Sequence, residues 1–137
     1  RVRSTFDTVE TSSNDDSVNS TYHLARLPSN AVILPSSTIY FDNVGGSGAT
    51  ADIGVYAVDG NLANADDVDA INDGISVATA GSASVIKDFA TSATALCDYV
   101  ASESSDPGGL LDIKVALLDA ATDAAGSIAL ELFYVVD

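Results

Sequence analysis

The feature that most constrains the fold is a stretch from Leu24 to Tyr56 in which short apolar runs alternate with turn residues. The runs are rich in β-branched and aromatic residues, and they comprise Ala31–Leu34, Thr38–Phe41 and Ala51–Tyr56. Proline, glycine, serine and asparagine separate them. Short strands at this spacing are typical of an all-β sandwich or barrel. The stretch therefore predicts an architecture, while it contains no recognisable catalytic or binding motif.

Length and polarity suggest how the chain is organised. A chain of 137 residues fits one domain and can bury a substantial core. Residues 1–20 are mostly polar and show no sustained hydrophobic period, although Thr5–Thr8 could form an edge strand. We therefore predict an extended N-terminal arm over residues 1–20 and a single antiparallel, jelly-roll-like β-sandwich domain over residues 21–137.

The last 28 residues carry the clearest strand pattern. Large apolar side chains alternate with other residues from Leu111 to Leu117 and again from Ile128 to Val136. A polar loop joins the two segments, so we predict that they pair with each other as an antiparallel hairpin. Phe133 and Val135 fall on the opposite face of the second strand from its other apolar residues. We expect that face to meet another sheet or another subunit.

The middle of the chain contains other local signals. Asn64 and the following aspartates resemble a helix start, and Gly74 resembles a helix stop, which predicts one short helix over residues 65–72. Gly54 lies inside a strand pattern, where glycine indicates a bulge or a close approach of another backbone. Residues 96–100 favour a further strand, whereas residues 75–94 are ambiguous.

Charge argues against several classes of partner. The chain has 20 acidic residues against five lysines and arginines, which gives a formal net charge of −15. Such a surface repels nucleic-acid phosphates and anionic lipid headgroups. We therefore predict no nucleic-acid partner and no membrane partner.

Catalytic constellations are missing from the sequence. His23 is the only histidine and Cys97 the only cysteine, and nothing in the sequence brings these two side chains together. Paired carboxylates could cleave glycosides, but such sites usually carry aromatic sugar platforms and this chain has no tryptophan. We therefore predict a protein that is not an enzyme and binds no cofactor.

Two acidic clusters offer oxygen ligands of the kind that calcium prefers. The stronger cluster consists of Asp66, Asp67, Asp69, Asn72 and Asp73, and the weaker one of Asn14, Asp15 and Asp16. Neither has the spacing of a calcium-binding loop. Aspartates at the start of the predicted helix explain part of the stronger cluster without an ion. We therefore predict no metal site.

The order of segments resembles that of the capsid decoration, or cement, proteins of tailed bacteriophages. The resemblance is carried by TYHLARLPSNAVILPSSTIYFDN and ATADIGVYAVDG in the first half of the chain, and by LLDIKVALLDA and SIALELFYVVD at its end. It covers residues 22–60 and 110–137, about half of the chain, and leaves residues 61–109 without a counterpart.

This resemblance implies a non-enzymatic virion protein on the outer surface of the capsid. There it would bind the major capsid protein and stabilise contacts between capsid subunits, often as a homotrimer. The shell-contacting residues would be Arg1, Val2, Arg3 and Phe6 of the arm, and Phe133 and Val135 would mediate self-association. Two alternatives stay open: another virion component, such as a tail or head-fibre base, and a prokaryotic surface or adhesion domain.

Overall fold

The computed structural model describes residues 1–12, 20–58, 67–88, 91–99, 106, 108–118 and 125–136. Their strands are β1 (Arg3–Thr11), β2 (Thr21–Pro28), β3 (Ala31–Ile33), β4 (Thr38–Phe41), β5 (Thr50–Ala57), β6 (Asp67–Ser76), β7 (Gly81–Ser84), β8 (Leu110–Leu118) and β9 (Gly126–Val136). Two 3₁₀ turns lie between β7 and β8, at Thr91–Ala93 and Leu96–Tyr99. None of the described residues forms a helix long and apolar enough to cross a membrane.

The strands form two antiparallel sheets. Sheet A has the order β1-β9-β4-β7, with β3 also paired to β9, and sheet B has the order β2-β8-β5-β6. The pairing is nested, because β1 pairs with the last strand, β2 with the strand before it, β4 with β7, and β5 with β6. A five-stranded and a four-stranded sheet connected in this way form a jelly roll. The predicted jelly-roll-like sandwich is therefore confirmed.

The hydrophobic core lies between the two sheets. Alternate side chains of β8 and β9 point into it and are essentially inaccessible to solvent: Leu111, Ile113, Val115 and Leu117 from β8, and Ile128, Leu130 and Leu132 from β9. Removing each large side chain from water contributes about 1.5–3 kcal/mol. The two C-terminal strands thus supply much of the core, one from each sheet.

The predicted hairpin between these two strands is wrong, although both strands exist. The β8 strand pairs with β2 and β5 in sheet B, and β9 pairs with β1, β3 and β4 in sheet A. Each strand has an apolar face, and the two faces contribute to one core cluster from different sheets instead of lying side by side in one sheet. The alternation of apolar residues therefore predicted which faces are buried but not which strands are neighbours.

The predicted short helix over residues 65–72 is also wrong. Residues 67–72 belong to β6, while Asn64–Asp66 lie outside the described residues. Pairing with β5 buries Ile71 in the core, and the side-chain amide of Asn72 donates hydrogen bonds to the carbonyls of Ser84 and Val85. These tertiary interactions outweigh the local capping signals.

The strand predicted over residues 96–100 is not formed, because Leu96–Tyr99 adopts a 3₁₀ turn. This turn buries Leu96 and Cys97, and the Cys97 backbone N–H donates to the Ser29 carbonyl at 2.8 Å. Apolar residues in this segment therefore cap the sandwich without joining either sheet.

Gly54 behaves as the sequence predicts. The register between β5 and β6 shifts across it, between Ile53 and Val55, and a Cβ atom placed on Gly54 would lie 2.4 Å from the carbonyl oxygen of Asp67. The close approach of β6 leaves room only for a hydrogen at this position.

The N-terminal segment contains the predicted edge strand in a longer form. The β1 strand pairs with β9 without interruption from Arg3 opposite Tyr134 to Thr11 opposite Gly126. Residues 13–19 lie outside the described part of the chain. The division into an arm and a domain at residue 20 stays a prediction.

Candidate functional site

The outer face of sheet A carries a group of apolar side chains that point away from the core. Residues directly opposite each other in adjacent antiparallel strands share a face, so the register identifies the members of this group. They are Phe6, Val32, Tyr40, Phe133 and Val135, which we call the sheet A patch. Phe6 is 60% exposed and Tyr40 44%, and the other three are half-buried. A surface of this kind can bury apolar area against another protein.

The register brings together two residues to which the sequence analysis gave separate roles. Phe133 lies opposite Ser4, and Phe6 lies opposite Glu131, which is two residues from Phe133. Phe6 and Phe133 are therefore diagonal neighbours on one face, an arrangement in which residues are typically about 7–8 Å apart. Phe6 of the predicted shell contact therefore adjoins the predicted self-association surface. Local sequence could not reveal this, because β1 and β9 lie at opposite ends of the chain.

The other predicted shell-contacting residues lie at the start of β1. Arg1, Val2 and Arg3 are exposed, with Val2 58% exposed. Arg3 lies opposite Tyr134 and so projects from the other side of the strand from Phe6. The N-terminal tip therefore presents positive charge and apolar surface at the margin of sheet A, on a protein that is otherwise strongly acidic.

A charged cluster lies on the outer face of sheet B. Asp112 of β8 is only 5% exposed. Its Oδ1 accepts a hydrogen bond from Nε of Arg26 at 2.7 Å, and its Oδ2 accepts one from Nη2 at 3.2 Å. Nε2 of His23 lies 3.0 Å from the same Oδ1. Burial alone would raise the pKa of Asp112, but the hydrogen bonds and positive charges of Arg26 and His23 lower it below its ordinary value.

This cluster is a structural ion pair that joins β2 to β8. Arg26 and Asp112 face each other directly across the two strands. The sequence analysis missed the pair, because opposite charges 86 positions apart give no local signal. Among the described residues no hydrogen bond links His23 to Cys97, whose thiol instead lies 3.9 Å from a carboxylate oxygen of Asp98. Burial raises the pKa of the Cys97 thiol, which disfavours the reactive thiolate.

We expect Asp112→Asn to lower the free energy of unfolding by about 1–2 kcal/mol at pH 7, because the substitution removes the charge that Arg26 and His23 surround. The folded pKa of Asp112 is depressed. Its contribution is therefore present above the unfolded pKa of about 3.9 and disappears as pH falls through the lower folded value.

Urea unfolding followed by circular dichroism at pH 7 and pH 3 measures this effect. The exposed Asp98→Asn variant serves as the matched control and should differ little from the parent at pH 7. Equal stability of the Asp112→Asn variant and the parent protein at pH 7 would contradict the stabilising role of the cluster.

Three carboxylates approach one another at the β5–β6 edge of sheet B. Within the described residues, ligand oxygens of Asp52, Asp69 and Asp73 all lie within 4.8 Å of one another. Asp52 is buried and accepts a hydrogen bond from the Gly74 N–H at 2.8 Å, so it holds the backbone where Gly74 adopts a positive φ of 85°. Asp67, two residues before Asp69, has a raised pKa. The main cause is burial, and the hydrogen bond and negative charge of the Asp69 side chain raise it further.

Not every residue of the predicted acidic clusters belongs to this group. Asn72 uses its amide to bind backbone carbonyls, while Asp66 and Asn14–Asp16 lie outside the described residues. The hydrogen bond from the Gly74 N–H explains the position of the Asp52 carboxylate in this group. Nothing else among the described residues at this place indicates a bound ion. The absence of a metal site stays a prediction.

Comparison with known proteins gives a likeness in fold. No protein-family model and no curated protein sequence matches the chain. A chain in the capsid structure of Ralstonia phage GP4 superposes with a TM-score of 0.71 at 18% identity, covering 100% of this chain and 85% of that one. A chain in the capsid asymmetric unit of cyanophage Pam1 superposes with a TM-score of 0.59 at 15% identity, covering 99% and 85%. At these identities the likeness establishes a shared fold.

Proposed function

We propose that the protein is a structural component of a phage virion that decorates the outer surface of the head. In this role it binds the major capsid protein, stabilises contacts between capsid subunits, and performs no catalysis. The observation that carries the proposal is that the entire chain superposes on a chain from the Ralstonia phage GP4 capsid. The cyanophage Pam1 capsid supplies a second match over 99% of the chain.

The surface chemistry supports this role. A decoration protein stabilises a shell by mass action, because it binds the assembled subunits and not the separated ones. Such binding needs complementary surface and no reactive group. The sheet A patch supplies apolar area, while the formal charge of −15 favours solubility of the free protein and of the particle that carries it.

We assign the shell contact to Arg1, Val2, Arg3 and Phe6. Arg1, Val2 and Arg3 are consecutive, exposed and locally basic, so they suit an acidic surface on the shell. Phe6 is exposed on the opposite side of β1 from Arg3 and suits an apolar surface. We assign self-association, as a homotrimer, to Phe133 and Val135. Because Phe6 and Phe133 are diagonal neighbours, shell subunits and neighbouring copies would meet along one continuous face.

The proposal is tested with purified shells that lack this protein. We expect the parent protein to sediment with them. We expect the double variant Arg1→Glu, Val2→Asp to bind about tenfold more weakly, because one substitution reverses a charge and the other buries a new negative charge in the contact. These two positions precede β1, so the sandwich keeps all its strands.

The matched control is Lys114→Glu, which reverses a charge on the outer face of sheet B and should leave shell binding unchanged. Cryo-electron microscopy of the decorated particles then locates the protein. Failure of the parent protein to bind any shell, or density confined to the tail, would overturn the assignment to the head.

A further inference from the structure

Among the described residues no strand pairs with the outer side of β1, which leaves this edge of sheet A open to a further strand. The β1 strand pairs with β9 on one side, and the residues along it are largely exposed. The opposite end of the sheet is β7, which has four residues against nine in β1. A long exposed edge strand presents unpaired backbone groups that can bind another strand.

The register shows which backbone groups of β1 face this edge. The carbonyls of Ser127 and Phe133 in β9 accept from Asp42 and Leu34, so odd-numbered residues of β9 bond toward β4 and β3. Its even-numbered residues therefore bond toward β1, where they face odd-numbered partners. The backbone N–H and C=O groups of even-numbered β1 residues consequently point outward: Ser4, Phe6, Thr8 and Glu10. In agreement, the Thr8 N–H donates to the side chain of Asp7 at 2.8 Å instead of to β9.

Charges along β1 select a partner for this edge. Arg3 and Asp7 are exposed, have opposite charges, and project from the same side of the strand. Antiparallel pairing of two identical edges must place even-numbered residues opposite even-numbered ones. If Thr5 lies opposite Thr5 of a second copy, Arg3 lies opposite Asp7 of that copy, and symmetry repeats this pair.

The other registers with this parity are less favourable. Centring the pair on Ser4 places Asp7 opposite Arg1, which precedes β1, and leaves Arg3 opposite Thr5. Centring the pair on Asp7 places two like charges directly opposite each other, which is destabilising. Centring it on Phe6 places Arg3 opposite Val9 and separates the charges. In the Thr5 register, Arg3 and Asp7 occupy a pair without backbone hydrogen bonds, where opposing side chains come closest. Electrostatic complementarity therefore favours a second copy of this chain and one register.

We propose that two copies of the protein associate through antiparallel pairing of their β1 edges, with Thr5 at the two-fold axis and Arg3 of each copy opposite Asp7 of the other. Pairing joins the two A sheets into one. It also makes the two Phe6 side chains diagonal neighbours. Each Phe6, which is 60% exposed in the single chain, then buries apolar surface against the other copy. The Thr8 N–H exchanges its bond with Asp7 for the Val2 carbonyl of the second copy.

This association concerns the free protein and does not depend on the proposed function. It differs from the proposed trimer, which would use Phe133 and Val135. Arg3 and Phe6 take part in both the β1 pairing and the proposed shell contact. A copy that binds a shell would therefore have to give up its pairing with the second copy.

The test uses sedimentation equilibrium at neutral pH and about 0.15 M salt, where distant charges of the two acidic copies are screened beyond about 8 Å. We expect the parent protein to form dimers. Each single variant, Arg3→Asp or Asp7→Arg, should weaken association at least tenfold, because it turns both cross-strand pairs into like-charge pairs. An equimolar mixture of the two variants should restore dimers, since one chain then carries two acidic groups and the other two basic groups at the paired positions.

Two further variants separate the edge from other surfaces. Glu10→Arg changes the net charge as much as Asp7→Arg does but lies outside the paired stretch, so association should persist. Ser4→Pro removes an N–H that points to the open edge and none that bonds to β9, so a folded monomer is expected. Circular dichroism verifies that each variant is folded.

Several outcomes would overturn the proposal. These are a parent protein that stays monomeric at its highest soluble concentration, a variant mixture that does not recover dimers, and equal effects of Glu10→Arg and Asp7→Arg. Dissociation by Phe133→Asp with no effect of the β1 variants would instead assign self-association to the outer face of sheet A.

Discussion

Replacing Gly54 with alanine should lower the free energy of unfolding by about 3 kcal/mol or more, a large effect for one methyl group. The added Cβ would lie 2.4 Å from the Asp67 carbonyl oxygen and 2.6 Å from the carbonyl carbon and oxygen of Val68. All three are backbone atoms, so no side-chain rotation can relieve the overlap. The β6 strand would have to move away from β5, which would disturb the pairing that buries Ile71.

Gly81→Ala is the matched control for this substitution. Gly81 also lies in a strand, but a Cβ there would meet the Phe41 ring at 3.8 Å, which is an ordinary van der Waals distance. We expect its stability to stay within about 0.5 kcal/mol of the parent protein. Urea unfolding monitored by circular dichroism compares the two variants. If both variants unfold at the same urea concentration, the conclusion that β6 lies too close to Gly54 for a side chain is wrong.

Gly54 also illustrates what the sequence could predict. A glycine inside a strand pattern indicates a constraint at that position, and the structure confirms one. The short apolar runs and the alternating segments likewise identified β3, β4, β5, β8 and β9. These signals are local, because a strand at the surface of a core alternates whichever strand lies beside it. They were therefore sufficient for the fold class and for most of the buried side chains.

Strand partners depend on contacts between distant parts of the chain, and there the sequence predictions failed. The β8 and β9 strands are consecutive and both amphipathic, which made a hairpin the simplest local arrangement. In the jelly roll their partners are instead β2 and β1, near the other end of the chain. The predicted helix failed for a related reason, since a capping pattern reports only local preference and β6 is held by pairing with β5.

The candidate surfaces follow the same division. Phe6 and Phe133 were each recognised as apolar residues in need of a partner, but only the register places them on one face. Arg26 and Asp112 attracted no attention as single residues, and only the pairing of β2 with β8 makes them an ion pair. Interaction surfaces in this protein are built across strands, so they appear only when the order of the strands is known.

The same pairing leads to a second large effect, because deleting residues 1–11 should cost about 5 kcal/mol, comparable to the whole stability of a small domain. The deletion removes β1, which pairs with β9 along its full length. Several backbone hydrogen bonds contribute about 1 kcal/mol each, and the packing of Val9 against the core is lost with them. The deletion also exposes the edge of β9, the strand that carries Ile128, Leu130 and Leu132. We expect an unfolded or aggregated product.

Deleting residues 1 and 2 alone is the control, because it leaves β1 complete and should change stability by less than about 0.5 kcal/mol. Thermal unfolding and size-exclusion chromatography compare the two truncations. A folded, monomeric product after removal of residues 1–11 would mean that this segment docks as an arm on a sandwich that is stable without it. Loss of the fold would mean that β1 is part of the sandwich. In that case the contacts of β1 with a shell or a second copy must be tested by point substitutions. Truncation would unfold the sandwich and so also destroy the outer face of sheet A that carries Phe133.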